Sequence, residues 1–178
     1  MTLMSTAQNV TTLAGSTQGF ADGLGTTAKF DHPYGLATDS AGNVYVADTY
    51  NHKIRKITST GLVTTLAGSS QGFANGTGTS AQFNFPHGVA TDASGNLYVA
   101  DYGNNKIRKI TSTGVVSTLA GSDLQGFADG TGATAMFNLP VGIATDSSGN
   151  IYVAEQGNHK IRKITPAGEV STLAGSTQ

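Results

Sequence analysis

The chain has 178 residues, of which 38% are hydrophobic and 12% charged, with a formal net charge of -1 and no cysteine. With so few charges and no excess of basic residues, the chain lacks the positive surface that attracts a phosphate backbone, so nucleic-acid binding is not expected. Without cysteine there is no disulfide or zinc–thiolate site, and the compartment stays undecided. No apolar run approaches the ~20 residues of a membrane helix, and the first ten residues lack the pattern of a signal peptide.

A repeat of 53 or 54 residues dominates the chain. Closely similar segments begin at four valines, Val10, Val63, Val116 and Val170. The last interval is longer by one because Leu124 is inserted. Self-similarity at a period near 50 residues indicates a solenoid, propeller or array, in which no single unit buries its own apolar face. The chain also starts in the middle of a repeat, as a segment of a longer array would.

Each repeat is predicted to form four short antiparallel strands, labelled A to D. In the first full copy these are A (35–39), B (43–48), C (53–58) and D (62–67), because the segments are rich in β-branched and aromatic residues. Glycine-bearing turns separate them, and an aspartate before each A–B turn is expected to cap it through its side-chain oxygens. These aspartates are Asp39, Asp92 and Asp146. Strand B is apolar on both faces, which favours a sheet packed between two neighbours.

The predicted units form one assembly over residues 1–178. An extra D strand over 10–15 precedes three four-stranded units over about 33–68, 86–121 and 140–175. A connection of unusual length joins each D strand to the next A strand and carries two phenylalanines per copy. We expect these rings to anchor the connection over the junction between neighbouring sheets.

The most specific pattern is P-x-G-[LVI]-A-T-D-x-x-G-N-x-Y-V-A-[DE]-x-x-N-[HN]-K-I-R-K-I-T, which occurs three times. It resembles the NHL repeat, whose Asn-His signature is present at Asn51-His52 and Asn158-His159, whereas the second copy has Asn104-Asn105. The resemblance implies an all-β propeller of four-stranded antiparallel blades, six in most members, with strand A lining the central channel. It implies little about chemistry, because the family ranges from RNA-binding and protein-binding modules to a few metal-dependent lyases.

Three blades are half of a six-bladed ring and fewer than the four to eight with which propellers close. A half-ring leaves two apolar faces uncovered, so we expect a C2 homodimer of three plus three blades. Residues 10–15 and 170–175 are near copies that compete for the outer position of the last blade. Exchange of residues 10–15 between the two copies is the favoured interpretation, and completion of the blade by residues 170–175 of the same chain is the alternative.

Candidate ligand residues are those that differ between otherwise similar copies on the face formed by the D–A connections and B–C loops. A protein or small molecule is the expected ligand, and drift on exposed loops is the competing explanation. The candidates are His32, Tyr34, Tyr50, Phe85, His87, Tyr102, Val141 and Gln156.

A second group of charged residues is expected to join one blade to the next through ion pairs. It comprises Arg55, Arg108, Arg162, Asp48, Asp101 and Glu155. His52 and His159 are expected to bond neighbouring backbone, and no catalytic residue, metal ligand or cofactor site is predicted.

The sequence therefore favours a non-catalytic scaffold or binding module that assembles into a closed ring, with no nucleic-acid or membrane partner. Two alternatives remain open. One is a designed or excised half-propeller that assembles with itself and has no natural ligand. The other is a metal-dependent lyase or lactonase-like enzyme, which needs a cluster of His, Asp or Glu at the mouth of the channel.

Overall fold

The computed structural model describes residues 9–175 and contains three antiparallel sheets of five strands each. The strands are β1 (Gly23–Leu24), β2 (Pro33–Thr38), β3 (Val44–Asp48), β4 (Lys53–Ile57), β5 (Leu62–Ala67), β6 (Gly76–Thr77), β7 (Pro86–Thr91), β8 (Leu97–Asp101), β9 (Lys106–Ile110), β10 (Val115–Ala120), β11 (Gly130–Thr131), β12 (Pro140–Thr145), β13 (Ile151–Glu155), β14 (Lys160–Ile164) and β15 (Glu169–Ala174). Five short 3-10 helices span Gly25–Thr27, Thr49–Asn51, Gly78–Ser80, Tyr102–Asn104 and Gly132–Thr134. Over residues 9–175, no helix has the length and apolar character needed to cross a membrane.

The prediction of four strands per unit is corrected to five. In the first sheet the order is β1-β5-β4-β3-β2, and the other two sheets repeat it. The four longer strands lie where the sequence predicts strands A to D. The fifth is a two-residue strand of the long connection, which pairs with the outer edge of strand D. Two residues are too few to show a strand pattern in the sequence, but they cover part of an otherwise unpaired edge.

The A–B turns are held by the aspartates that precede them, as predicted. Asp39 Oδ1 accepts the backbone N–H groups of Ala41 and Asn43 at 3.0 and 2.9 Å. Its Oδ2 accepts the Asn43 amide at 2.7 Å and the Tyr45 hydroxyl at 3.0 Å. Asp92 and Asp146 make the same contacts in their own turns. Each side chain therefore fixes the turn and also attaches it to strand B.

Residues 10–15, predicted as a D strand, lie outside every strand of the single chain. They nevertheless occupy the place of a preceding D strand, because the Gly15 N–H donates to the Gly25 carbonyl at 3.1 Å, as Gly68 does to Gly78 at 3.2 Å. A strand needs backbone partners. Within residues 9–175, each strand C already pairs with the D strand of its own repeat. The outer long strand of the third sheet is the chain's own β15, which pairs with β14. Residues 169–174 thus complete the last sheet within a single chain, and exchange of residues 10–15 between two copies stays a prediction.

Most of the core lies between the sheets, and a smaller third cluster lies on the first sheet, where Ala14 packs against it. Between the first and second sheets, Ile54 and Ala67 pack against Val99, Ile110 and other apolar side chains of the second sheet. The connection that enters the second sheet adds fully buried Ala81 and Phe83 to this cluster. An equivalent cluster joins the second and third sheets. The sheets are therefore stabilised by face-to-face burial of apolar area, which is the dominant favourable term in folding.

Candidate ligand face and sheet junctions

The inner strands β2, β7 and β12 lie side by side and line a cavity of ≈ 300 Å³. Close approach of these strands depends on glycine. A Cβ built on Gly35 would lie 2.4 Å from the carbonyl oxygen of His87, and one built on Gly88 would lie 2.4 Å from that of Val141. The equivalent Gly142 has no such neighbour, because its first contact would be Ala154 Cβ at 3.4 Å.

Two chains of ring contacts lie at the ends of strands A and in the B–C loops. In the first, the Tyr50 ring contacts those of His32 and Phe85 at centroid distances of 4.3 and 5.3 Å. In the second, the His87 ring contacts those of Tyr34 and Tyr102 at 4.6 and 4.1 Å. These six residues, which we call the aromatic surface, are six of the eight predicted ligand residues.

The two remaining candidates are placed differently. Val141 lines the cavity beside Tyr34 and His87 but is not aromatic. Gln156 is exposed, and its backbone N–H donates to the Leu139 carbonyl at 3.0 Å. The aromatic surface therefore spans the first two sheets and does not continue onto the third.

The titratable groups of the aromatic surface have distinct environments. Burial lowers the pKa of His87, whose Nδ1 is buried and has no hydrogen-bond partner within residues 9–175. The hydrogen bond with His32 Nδ1, at 2.6 Å, lowers the pKa of Asp31. The Asp31–His32 pair was not predicted from the sequence, although the adjacency of the two residues was available as a signal. The aromatic surface therefore holds two different imidazoles: burial favours the neutral form of His87, whereas His32 lies beside the Asp31 carboxylate.

The predicted arginine–carboxylate pairs form, but their bonds stay within one repeat. Arg55 Nη1 donates to Asp48 Oδ2 at 2.7 Å and to the Lys29 carbonyl at 3.2 Å. Its Nη2 donates to the Ala21 carbonyl at 2.9 Å and to the Asp22 carboxylate. These bonds attach the D–A connection to the sheet that it enters. They do not link one sheet directly to the next, which was the expected role.

The same arrangement recurs in the other two repeats. Arg108 pairs with Asp101, and Arg162 pairs with Glu155, each at 2.8 Å. All three guanidinium groups also stack between two phenylalanine rings of the connection, at 4.8 and 5.2 Å for Arg55 with Phe20 and Phe30. The phenylalanines therefore anchor the connection, as predicted.

Side-chain hydrogen bonds cross from each sheet to the next. His52 Nδ1 accepts the backbone N–H of Phe85 at 3.2 Å, and Asn105 Oδ1 accepts that of Leu139 at 2.8 Å. At the opposite ends of the inner strands, the Thr91 hydroxyl donates to the Thr38 carbonyl at 2.8 Å. The prediction that His52 bonds neighbouring backbone is confirmed. The threonine bonds were missed, because a threonine at the end of a strand carries no distinctive signal.

The two outward faces of the array expose residues that are buried at the internal junctions. Leu36 on the first sheet is 66% exposed, whereas the equivalent Val89 is 4% exposed. Ile161 on the third sheet is 39% exposed, whereas the equivalent Ile107 is fully buried. Within residues 9–175, the structure contains no group of three or more His, Cys, Asp or Glu side chains able to hold a metal ion.

Comparison with known proteins agrees with this architecture. Human NHL repeat-containing protein 2 is 40% identical over 107 residues, which cover 57% of this chain and 15% of that protein. A structural genomics protein of unknown function from Bacteroides thetaiotaomicron is 34% identical, with a TM-score of 0.68 over 74% of this chain and 34% of that one. A streptogramin B lyase structure, 24% identical, has a TM-score of 0.56 over 82% of this chain and 41% of that one, and shares the fold alone.

The chain thus spans a minor part of each of these proteins. The model of the NHL repeat matches residues 30–57, 83–110 and 137–164. Each match runs from the end of the D–A connection through strands A, B and C, and so includes the aspartate-capped turn and the buried arginine. The three sheets and the three matches coincide, and the chain belongs to the NHL-repeat family of β-propeller proteins.

Proposed function

We propose that this chain is a non-catalytic propeller scaffold that closes into a six-bladed ring with a second copy of itself and presents a ligand site on the aromatic surface. The observation that carries the proposal is the exposure of Leu36 and Ile161, because the equivalent residues between the first and second sheets are buried. Apolar side chains that are exposed on an outward sheet face, where equivalent faces are packed, mark an interaction surface.

The two open faces carry the residue types that already pack against each other inside the chain. The third sheet presents Tyr152, Ala154 and Ile161, which repeat the types of Tyr45, Ala47 and Ile54. The first sheet presents Leu36, Val44 and Phe30 at the positions of Val89, Leu97 and Phe83. A second copy related by a twofold axis would therefore form two further junctions of the internal type. In each of them residues 10–15, whose Ala14 packs against the first sheet, would compete with residues 170–175 of the second copy for one position.

Sedimentation of matched variants tests the ring. Ile161→Lys places a charge in both new junctions, so we expect a monomer at concentrations where the unaltered chain is a dimer. Val115→Lys is the control, because Val115 is similarly exposed, at 43%, but lies on an outer strand away from the open faces. Equal masses for the two variants would contradict the proposal.

The aromatic surface supports the binding half of the proposal. Its rings combine apolar area with polar tips, a composition that suits ligand recognition, and they lie at positions that differ between the repeats. The dye 1-anilinonaphthalene-8-sulfonate is a suitable aromatic probe. We expect Tyr34→Ser and Tyr50→Ser to reduce the dye's fluorescence enhancement in the dimer without changing its mass, and an unchanged enhancement would contradict a site there.

A further inference from the structure

The internal junctions define a recurring hydrogen bond between sheets. In both cases the acceptor side chain follows the B–C 3-10 helix, and the donor is a backbone N–H immediately before strand A. The acceptors are His52 and Asn105, and the donors are Phe85 and Leu139, at 3.2 and 2.8 Å. Acceptor and donor lie 33 or 34 residues apart, so the bond always joins one sheet to the next.

The backbone at these positions has an unusual conformation in every repeat. The non-glycine residues with positive φ in residues 9–175 are the three acceptor-position residues and the three donor-position residues. His52, Asn105 and His159 have φ of 55, 53 and 54°, and His32, Phe85 and Leu139 have φ of 49, 49 and 52°. Bulky residues rarely adopt this region, so the conformation costs free energy. His159 and His32 also have this positive-φ conformation, although neither has within the described part of the chain the hydrogen-bond partner found at the internal junctions.

We propose that His159 is the acceptor at the junction between two copies, where its neutral imidazole takes the backbone N–H of His32 of the second copy. This inference rests on the proposed ring. Over residues 9–175, the structure gives the His32 N–H no acceptor and the exposed His159 ring no hydrogen bond. A second bond of internal type, from the Thr38 hydroxyl of the second copy to the Thr145 carbonyl, would fix the register at the other end of strand A.

This junction would differ from the internal ones in carrying two imidazoles. The His52 and Phe85 rings lie 4.6 Å apart at the first junction, and His159 and His32 occupy the equivalent positions between copies. Neutral imidazole accepts a hydrogen bond at one nitrogen, whereas imidazolium has two donors and no acceptor. Protonation of His159 would therefore remove the bond and place a cation against an N–H donor.

Charged groups of both copies would lie near His159 in the closed ring. Lys160, the first residue of β14, follows His159 in the chain. The corresponding Lys53 lowers the pKa of His52, after the larger effect of burial. From the second copy, His32 faces the site together with Asp31, whose carboxylate is 2.6 Å from the His32 ring. Asp31 compensates a charge on His32, which leaves His159 as the group whose protonation the closed ring disfavours. The separated chains then bind more protons than the ring, so association should weaken as pH falls into the range where histidine side chains take up a proton.

The size of the change in the dissociation constant follows from the presence of two such junctions in each ring. If each separated chain takes up one proton that the ring excludes, the dissociation constant rises about 100-fold between pH 8 and pH 5.5. Sedimentation equilibrium at both pH values measures this ratio directly. Circular dichroism of the same samples establishes whether the separated chains remain folded.

Substitution separates this inference from the proposed ring. His159→Asn supplies the acceptor that Asn105 provides internally, so this variant should form a dimer at pH 8 and lose most of the pH dependence. His159→Leu removes the acceptor and should weaken the dimer roughly tenfold or more at pH 8. His52→Asn is the matched control, because it makes the same change at an internal junction and should keep the full pH dependence.

The outcomes are distinct. A dimer whose dissociation constant is the same at both pH values, or an undiminished pH dependence in His159→Asn, would overturn the role of His159 and leave the ring intact. An unaltered chain that is monomeric and folded at pH 8 would overturn the proposed ring itself.

Discussion

Gly142→Ala separates closure of the ring from folding of the chain. A Cβ at Gly35 or Gly88 would lie 2.4 Å from a carbonyl oxygen of the next inner strand, so one strand would have to move by most of an ångström. In a single chain a Cβ added at Gly142 meets nothing closer than Ala154 Cβ at 3.4 Å, which is an ordinary contact. In the ring the added Cβ would meet the Tyr34 carbonyl of the second copy, the equivalent of the His87 and Val141 carbonyls.

The magnitude follows from the number of junctions. Overpacking of this kind costs about 1–3 kcal/mol per site. A ring with two junctions between copies loses about 2 kcal/mol at the lower limit, which raises the dissociation constant about 30-fold. Gly88→Ala has the same overlap inside the chain, so its cost falls on folding and should lower the melting temperature by several degrees.

Sedimentation velocity over a concentration series measures the first effect, and thermal unfolding measures the second. We expect Gly142→Ala to shift the chain toward monomer while the separated monomer keeps its circular dichroism spectrum. An unchanged dissociation constant in Gly142→Ala, beside a lowered melting temperature in Gly88→Ala, would refute the claim that a second copy occupies the open face.

Further predictions concern the buried Arg108–Asp101 ion pair, the tyrosines bonded to the A–B turn aspartates, and added metal ions. Asp101→Asn leaves the Arg108 guanidinium without its buried carboxylate and should lower the free energy of unfolding by about 3–5 kcal/mol in urea, whereas Asp123→Asn, at an exposed carboxylate, should change it by less than about 0.5 kcal/mol. Burial, then the aspartate bond, raises the pKa of Tyr45 and Tyr98 to about 12, so absorbance at 295 nm should show late ionisation. Because these tyrosines ionise earlier when unfolded, stability should fall from pH 10 to 12. Added Mn²⁺ or Zn²⁺ should leave the melting temperature unchanged, and a dose-dependent rise would favour the enzyme alternative.

Sequence reasoning reached the three sheets because each repeat contains the pattern that its strands require. Segments rich in β-branched and aromatic residues define strands A to D, and Asp39 followed by Gly42 and Asn43 defines the turn between A and B. The two-residue strand Gly23–Leu24 escaped prediction, because its formation depends on the position of strand D rather than on its own composition. The segment over 10–15 resembles strand D in sequence, but within a single chain it lies outside every strand.

The candidate site was predicted as a set of positions but not as a surface. Variation between repeats located Tyr50 and His87, yet it could not show that their ring contacts form two chains across two sheets. Gln156 varies in the same way and joins neither chain. The acceptor role of His52 depends on a donor 33 residues away, a distance at which the sequence gives no geometric information.

The absolute mass of the unaltered chain in solution, from light scattering behind a sizing column at pH 8, tests the central claim most directly. Closure by a second copy predicts a single species with twice the chain mass of 18.1 kDa. A compact, folded species of 18.1 kDa at the same concentration would mean that the open faces are stable in water and would contradict the six-bladed ring.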